Sequence, residues 1–454
     1  MKNIKPKNSY VILNTLVRIH PFIPIDMKHF TALFLLITFF CHAQDIKVIR
    51  GPYLQNFTPT SGMVRWRTDI ASNSQVIYGN SPSQLNQSVK DANLLTEHEV
   101  EIKNLSPGKK YFYAIISAGT KVGADESHYF NTVPKAGSTK PVRIWALGDF
   151  GNSSKNQADV RDAMFNATKA HKPDAWIWMG DNAYSNGKEE EYQNHVFRVY
   201  QDTFFKNLPV WPSPGNHDYA GKHDPSLPPY FKIFNMPTKG ENGGFPSGTE
   251  SFYSFNYGNV HLISLDSEAM ETDSSYLYNE NGKQATWLKK DLEANKLPWT
   301  IVYWHKPPYS KASHDSDTEI WMYKVRENIT PILEKYKVDL VICGHSHGYE
   351  RNPPMVGHTG KSATYDPSVH KKANEVAPNT YVINKGESQG TIYIVNGSGG
   401  QLGGKQKDYP LKSSVYSNVT EGGSMLIDVV NKKLNAQWIC ADGVVRDMFS
   451  IEKK

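Results

Sequence analysis

The sequence predicts two fold classes in tandem: a small all-β sandwich, then a larger α/β domain with a largely parallel core. Three observations carry this. Residues 46–133 hold six short β-prone runs separated by turn signals. From residue 142 onward, buried-strand runs alternate with helical stretches. Almost every strand of this second part ends in a potential metal ligand with a glycine nearby. A chain of 454 residues is long enough for two or three domains and at least one large core.

The first 43 residues belong to neither domain. The apolar run FTALFLLITFF (30–40) is too short for a bilayer, which needs about 20 residues. Lys28 precedes it and Cys41-His42-Ala43 follows, as in an export signal cleaved before Gln44. Met27, directly before Lys28, is the expected true translation start. Phe40 is too bulky for the usual lipid-modified cysteine pattern at Cys41. The mature protein is therefore expected to be exported, periplasmic or secreted, with no membrane span. The leader carries five Lys/Arg against one acid, so most of the formal +5 charge is local and about +1 remains for the rest. That balance gives no sign of a nucleic-acid or membrane-surface partner. Beyond the leader only Cys343 and Cys440 remain, too few for a disulfide framework, and Cys343 sits in an apolar strand.

The sandwich is expected over 45–134, with strands VIRGPYLQ, GMVRWRT, SQVIYG, HEVEIKNL, KYFYAIIS and SHYFNTV. Turns fall at Thr58-Pro59-Thr60-Ser61-Gly62 and Ser106-Pro107-Gly108. Regular spacing of short alternating strands fits an immunoglobulin or fibronectin type III-like sandwich, with Trp66 as core aromatic. Residues 135–141 form a Lys-, Gly- and Pro-containing linker.

The α/β domain, 142–454, starts with the strand VRIWAL (142–147), a helix near 155–170, the strand DAWIWM (174–179) and a helix near 188–207. NVHLISLD (259–266), WTIVYW (299–304) and VDLVIC (338–343) follow, separated by helices around 283–295 and 318–336. TIYIVNG (391–397), SMLIDVV (424–430) and LNAQWIC (434–440) close the chain and are candidates for a second sheet. Segment 352–390, rich in Pro, Gly, Lys and Asn, is expected to be a long surface excursion.

The chemistry sits at the strand ends. The first strand runs into Gly148-Asp149, the second into Gly180-Asp181-Asn182-Ala183-Tyr184, and PVWPSP into Gly215-Asn216-His217-Asp218. WTIVYW ends at His305, and VDLVIC at Gly344-His345-Ser346-His347. Loops converge at the carboxyl ends of strands while the sheet holds them rigid, which suits a shared site. A Gly-Asp after a strand is by itself an ordinary turn, and a lone histidine in an aromatic strand is an ordinary core residue. Their repetition in this order is what points to a metal site.

These blocks (GD, GDNAY, GNHD, VYWH and GHSH, the last extended to GHSHGYER) resemble the calcineurin-like metallophosphoesterases and, within them, the purple acid phosphatases of bacterial type with an N-terminal fibronectin-like domain. The resemblance also covers RGPYLQNFTPTSGMVRWRT and SFNYGNVHLISLD, and so nearly all of 46–454. Tyr184, three residues after Asp181, is its distinguishing mark. The resemblance implies a four-layer αββα catalytic domain and a binuclear centre that hydrolyses phosphate monoesters with a metal-bound hydroxide. Asp149, Tyr184 and His347 would bind the first metal, ferric iron. Asn216, His305 and His345 would bind the second, which would be zinc, manganese or ferrous iron. Asp181 would bridge the two. Anionic oxygen ligands suit a hard trivalent ion, and two imidazoles with an amide oxygen suit a borderline divalent one.

The resemblance further implies that Asn216, His217 and His314 contact substrate, with His217 and His314 assisting the leaving group. Some relatives have paired histidines where this chain has His314-Asp315. His98 and His261 are expected to be structural, His358 and His370 exposed, and Glu350 and Arg351 to brace the ligand loop. Small phosphorylated substrates are the expected partners, with no nucleic-acid-binding domain. A phosphodiesterase or nucleotide hydrolase on the same centre is the alternative enzyme. A non-catalytic surface-binding protein is the alternative of another class, disfavoured because all seven ligand positions hold suitable residues.

Overall fold

The computed structural model describes residues 45–219, 228–268, 276–372, 374–385, 387 and 390–454. The expected leader and cleavage site lie outside them. Among the described residues, no helix is long and apolar enough to cross a membrane.

The N-terminal strands are β1 Val48–Gln55, β2 Gly62–Gly79, β3 Gln87–Ile102, β4 Lys110–Ser117, β5 Thr120–Gly123 and β6 Tyr129–Asn131. The two runs expected as separate strands at 62–68 and 74–79 form one strand, β2. Its first half pairs with β1 and its second half with β4, while β3 follows it along both halves. Register shifts between Arg67 and Ser74 let it bend from one layer to the other. Alternation sends Val64, Trp66 and Val76 inward. Trp66 stacks on the buried His98 at 4.7 Å and donates from Nε1 to Ser117 Oγ at 2.9 Å. His98 is held on both ring nitrogens by Thr68 Oγ1 and Ser74 Oγ, each at 2.8 Å, so it is structural as expected.

The larger part contains β7 Val142–Leu147, β8 Ala175–Met179, β9 Val210–Ser213, β10 Tyr253–Tyr257, β11 Val260–Ser264, β12 Trp299–Trp304 and β13 Leu340–Cys343. These are followed by β14 Tyr349–Arg351, β15 Glu375–Ala377, β16 Thr380–Ile383, β17 Ile392–Asn396, β18 Tyr416–Asn418, β19 Gly423–Val430, β20 Lys433–Cys440 and β21 Val445–Lys453. They form two sheets, ordered β10-β11-β12-β13-β17-β14-β18 and β15-β16-β21-β20-β19-β7-β8-β9. β11, β12, β13 and β17 run parallel, as do β7, β8 and β9. The closing strands β19, β20 and β21 extend the sheet that β7 begins.

The sheets pack face to face. Tyr303 donates to the Trp211 carbonyl at 3.1 Å, and Asn396 Nδ2 to the Ala146 carbonyl at 3.0 Å. Alternation along β12 and β13 puts Ile301, Tyr303, Leu340 and Ile342 in the large core. Val302, Trp304, Val341 and Cys343 pack in a second cluster with the helices Lys283–Ala294, Ile320–Asn328 and Thr330–Lys335. On the opposite sheet Trp145 and Trp176 stack at 4.1 Å beside Phe204 of the helical segment 189–205. The layers are therefore αββα, with Lys155–Ala167 as the other outer helix.

Two expectations about segment 352–390 change. Segment 352–390 is not all surface, because β16 pairs in parallel with β21. His358, expected to be exposed, is buried at 2% exposure, with its ring between those of Tyr309 and Tyr365. The Tyr309 hydroxyl donates to the His358 carbonyl at 2.5 Å. His261 is structural as expected, buried 2.7 Å from Asp291. Cys343 and Cys440 are both buried free thiols.

Candidate metal centre

Each strand-end block delivers its side chain to one place between the sheets. Asp149, Asp181 and His345 adopt the left-handed region, with φ of 56°, 49° and 66°. Such conformations cost of order 1–3 kcal/mol each and persist where surrounding contacts fix them. The flanking glycines make room. A Cβ on Gly344 would lie 2.3 Å from Asp149 Oδ2, and one on Gly215 would lie 2.2 Å from the Asp181 nitrogen.

The side chains fall into two overlapping groups. In the first, the Tyr184 hydroxyl donates to Asp149 Oδ1 at 3.1 Å and lies 3.3 Å from both Asp181 Oδ2 and His347 Nε2. His347 Nε2 is also 3.5 Å from Asp149 Oδ1. In the second, His305 Nε2 lies 3.2 Å from Asp181 Oδ2, 3.0 Å from Asn216 Oδ1 and 3.2 Å from His345 Nδ1. Asp181 Oδ2 touches both groups. All seven residues singled out as ligands in the sequence are thus assembled.

Electrostatics makes this cluster fit a cation. Asp149 and Asp181 are almost completely buried, and neither has a Lys or Arg partner among the described residues. Buried carboxylates need compensating charge. Burial opposes a proton on His305, but the adjacent Asp181 carboxylate outweighs it and raises the imidazole to about 10. Burial together with Asp149 and Asp181 holds the Tyr184 phenol well above its ordinary value. Burial, reinforced by His305 and His314, pushes His345 well below 6.5, leaving a neutral imidazole with a free lone pair. Asp181, His305 and His345 bring one ligand atom each within 4.8 Å of one another.

The residues expected to face substrate rim the cluster. The His217 amide donates to Asp181 Oδ1 at 2.8 Å, its Nε2 lies 3.7 Å from Asp181 Oδ2, and its side chain is 36% exposed. His314 stacks on His345 at 3.8 Å and is 34% exposed.

Several further groups that the sequence does not single out support these side chains. His305 Nδ1 donates to the Met179 carbonyl at 2.9 Å, which turns Nε2 toward the cluster. Glu319 accepts from His314 Nδ1 at 2.8 Å and so orients that imidazole, while its other oxygen lies 3.6 Å from His345 Nε2. Its signal was its place five residues after His314, at the start of the helix Ile320–Asn328. Asp218 accepts from the Asn182 and Gly215 amides and from the Tyr192 hydroxyl, tying the GDNAY loop to the GNHD loop. Glu350 braces the ligand loop as expected, accepting from the Lys311 amide at 3.0 Å and Ser310 Oγ at 2.5 Å. Arg351 instead turns away and pairs with Asp447.

Residues 142–349 match the family described as Calcineurin-like phosphoesterase. The fold and the site define the same class. Residues 52–132 match the Purple acid Phosphatase, N-terminal domain, and the chain belongs to the purple acid phosphatase family. The family implies a metal centre and phosphoester hydrolysis. Among its relatives, human Acid phosphatase type 7 is 26% identical over 376 residues, covering 75% of this chain and 75% of that protein. Probable inactive purple acid phosphatase 1 of Arabidopsis thaliana is 25% identical over 387 residues, covering 78% of this chain and 57% of that protein. Purple acid phosphatase PPD1 from yellow lupin (Lupinus luteus) seeds shares the fold at a TM-score of 0.69 and 19% identity, covering 89% of this chain and 75% of that one.

Proposed function

We propose that this chain is a phosphomonoesterase with a binuclear metal centre, built on a sandwich over 45–134, a linker over 135–141 and a catalytic domain over 142–454. The observation that carries the reading is the placement of Asp181 Oδ2, 3.3 Å from the Tyr184 hydroxyl in one donor group and 3.2 Å from His305 Nε2 in the other. Asp149, Tyr184 and His347 with Asp181 would hold ferric iron. Asn216, His305 and His345 with Asp181 would hold zinc, manganese or ferrous iron. Two such ions supply Lewis-acid charge and lower the pKa of bound water toward neutrality.

The protein's own residues do the rest. Asn216, His217 and His314 bind the phosphate group at the rim. His217 Nδ1 donates to the Ser185 carbonyl at 2.5 Å, which leaves Nε2 to deliver a proton to the departing alkoxide. Glu319 fixes His314 through Nδ1, so that its Nε2 meets the substrate. Export is part of the reading, with a mature end near Gln44.

Metal analysis of the purified protein, with a panel of mono- and diesters, tests this directly. Two metal equivalents and faster monoester turnover are expected. Asp181→Asn should lose both metals, because one carboxylate serves both groups. Preferred diester turnover would favour the phosphodiesterase alternative. A folded, metal-loaded protein that turns over no phosphoester would sink the proposal and leave the surface-binding alternative.

A further inference from the structure

The segment after Tyr184 is held from outside the catalytic sheets. Glu191 turns back onto it: Oε1 accepts from the Ser185 amide at 2.7 Å, and Oε2 from the Asn186 and Lys188 amides, each at 2.9 Å. One carboxylate thus gathers three backbone donors of a short loop. That loop presents the Ser185 carbonyl, the acceptor for His217 Nδ1 at 2.5 Å. The His217 ring is otherwise packed on Tyr184, with centroids 4.6 Å apart, and open to solvent on its other side. Its orientation therefore depends on where Ser185 sits.

The turn that carries Glu191 is fixed by the sandwich. Arg50 of β1, 1% exposed, pairs with Glu189 and donates from Nε to Gln193 Oε1 at 2.8 Å. Gln193 Nε2 returns a hydrogen bond to the Ile49 carbonyl at 2.7 Å. Arg67 of β2 reaches the same Glu189 at 2.6 Å. The Arg50 guanidinium also lies 4.5 Å from the centre of the Phe197 ring, in the same helical segment. These contacts clamp both faces of one turn, so a shift of the sandwich is passed to Glu191 and from there to Ser185.

We propose that the N-terminal sandwich is a positioning element for the candidate site: Arg50 and Arg67 fix the turn at Glu189–Gln193, and Glu191 on that turn holds the loop whose Ser185 carbonyl aims His217. The inference rests on the phosphatase reading for its effect on turnover, but not for its geometry. Glu191 is a positioning residue and touches no reacting atom.

The test uses the full chain with Glu191→Gln, which keeps the shape but turns an N–H toward backbone donors, and separately with Glu189→Gln plus Arg67→Gln. In Glu191→Gln, kcat on an alkyl phosphate should fall about 10-fold to 100-fold, the scale of a misplaced catalytic group, with metal content unchanged. The loss should be several-fold smaller on nitrophenyl phosphate, whose leaving group needs little protonation. The double variant should move the alkyl-to-aryl ratio in the same direction by a smaller factor. A second readout is independent of turnover. In metal-free protein labelled with 15N-histidine, the His217 Nδ1–H signal, assigned by its absence in His217→Ala, should broaden or disappear in both variants. If the folded double variant keeps both the wild-type ratio and that signal, the sandwich has no positioning role. Equal losses on both substrates, or loss of metal from Glu191→Gln, would likewise overturn the proposal. A wild-type protein without phosphatase activity would instead sink the functional reading, and the histidine signal would still decide the positioning.

Discussion

Tyr184 shows how much one side chain depends on a charge the protein must recruit. Burial and two carboxylates raise its phenol well above 10, so on its own it stays protonated and donates to Asp149. Only a cation at that point can displace the proton, and ferric iron there would give a visible charge-transfer band. Tyr184→Phe should abolish the band while leaving the melting temperature within a few degrees, since the ring volume hardly changes. An absorption spectrum of iron-loaded wild type that shows no visible band would reject the phenolate assignment. His217 differs in being half open and outside both donor groups. His217→Ala should keep both metals yet lose roughly 10²-fold to 10⁴-fold in turnover on alkyl phosphates, the scale of a general acid. The loss should shrink on nitrophenyl phosphate. Parallel losses would assign His217 to phosphate binding instead, and lost metal would show that the GNHD block has been misread.

At the level of elements, the bent strand β2 makes the sandwich, and His98 beside its bend gives the sandwich a pH limit. Burial lowers the His98 imidazole from 6.5 to about 4. Its neutral form is the one held by Thr68 and Ser74. The unfolded chain therefore binds more protons than the folded one between those two values, and stability is lost as pH falls through 6.5 toward 4. A shift of that size corresponds to at most about 3 kcal/mol. The thermal midpoint should fall from pH 7.5 to pH 4.5, and His98→Gln should flatten part of that fall; identical pH profiles for the two proteins would exclude His98 as the source. This element was only partly legible. The strand content of β2 follows from its alternation, but its continuity does not, because Asp69 to Asn73 separate its two alternating runs and only Ser72 among them pairs with β3. The helix expected over 318–336 is likewise divided at Ile329, ahead of Pro331 in the first turn of the next helix.

Across the whole molecule the two sheets are joined by a buried charge. Arg351 on β14 pairs with Asp447 on β21, at 0% and 3% side-chain exposure, and the Tyr349 hydroxyl donates to the same carboxylate at 2.9 Å. Arg351→Ala would leave Asp447 buried without a charged partner, and such losses cost about 3–5 kcal/mol. Replacing both by apolar residues (Arg351→Met with Asp447→Leu) should cost distinctly less, because no uncompensated charge remains. Denaturant unfolding of the three proteins checks this, and equal costs for the single and double variants would contradict it. In the sequence Arg351 follows the ligand histidines and looks like part of the site. Its true partner lies 96 residues further on, in a strand whose pattern alone gave no cue.

Local chemistry determined what the sequence could determine by itself. Alternation and turn residues placed most strands, and the recurrence of Asp, Asn, Tyr and His after strands located the blocks that converge, because each block is fixed by its own strand end; which seven side chains would be ligands came from the family resemblance those blocks carry. The tertiary structure decided what depends on residues far apart in the chain. That β17 joins β13 while β19 and β20 join the sheet of β7, that His358 is buried, and that Glu319 and Glu191 support the rim all depend on such contacts. The reason is physical: a strand end aims its own side chain, but a carboxylate finds its partners only after the loops that carry them have been packed together.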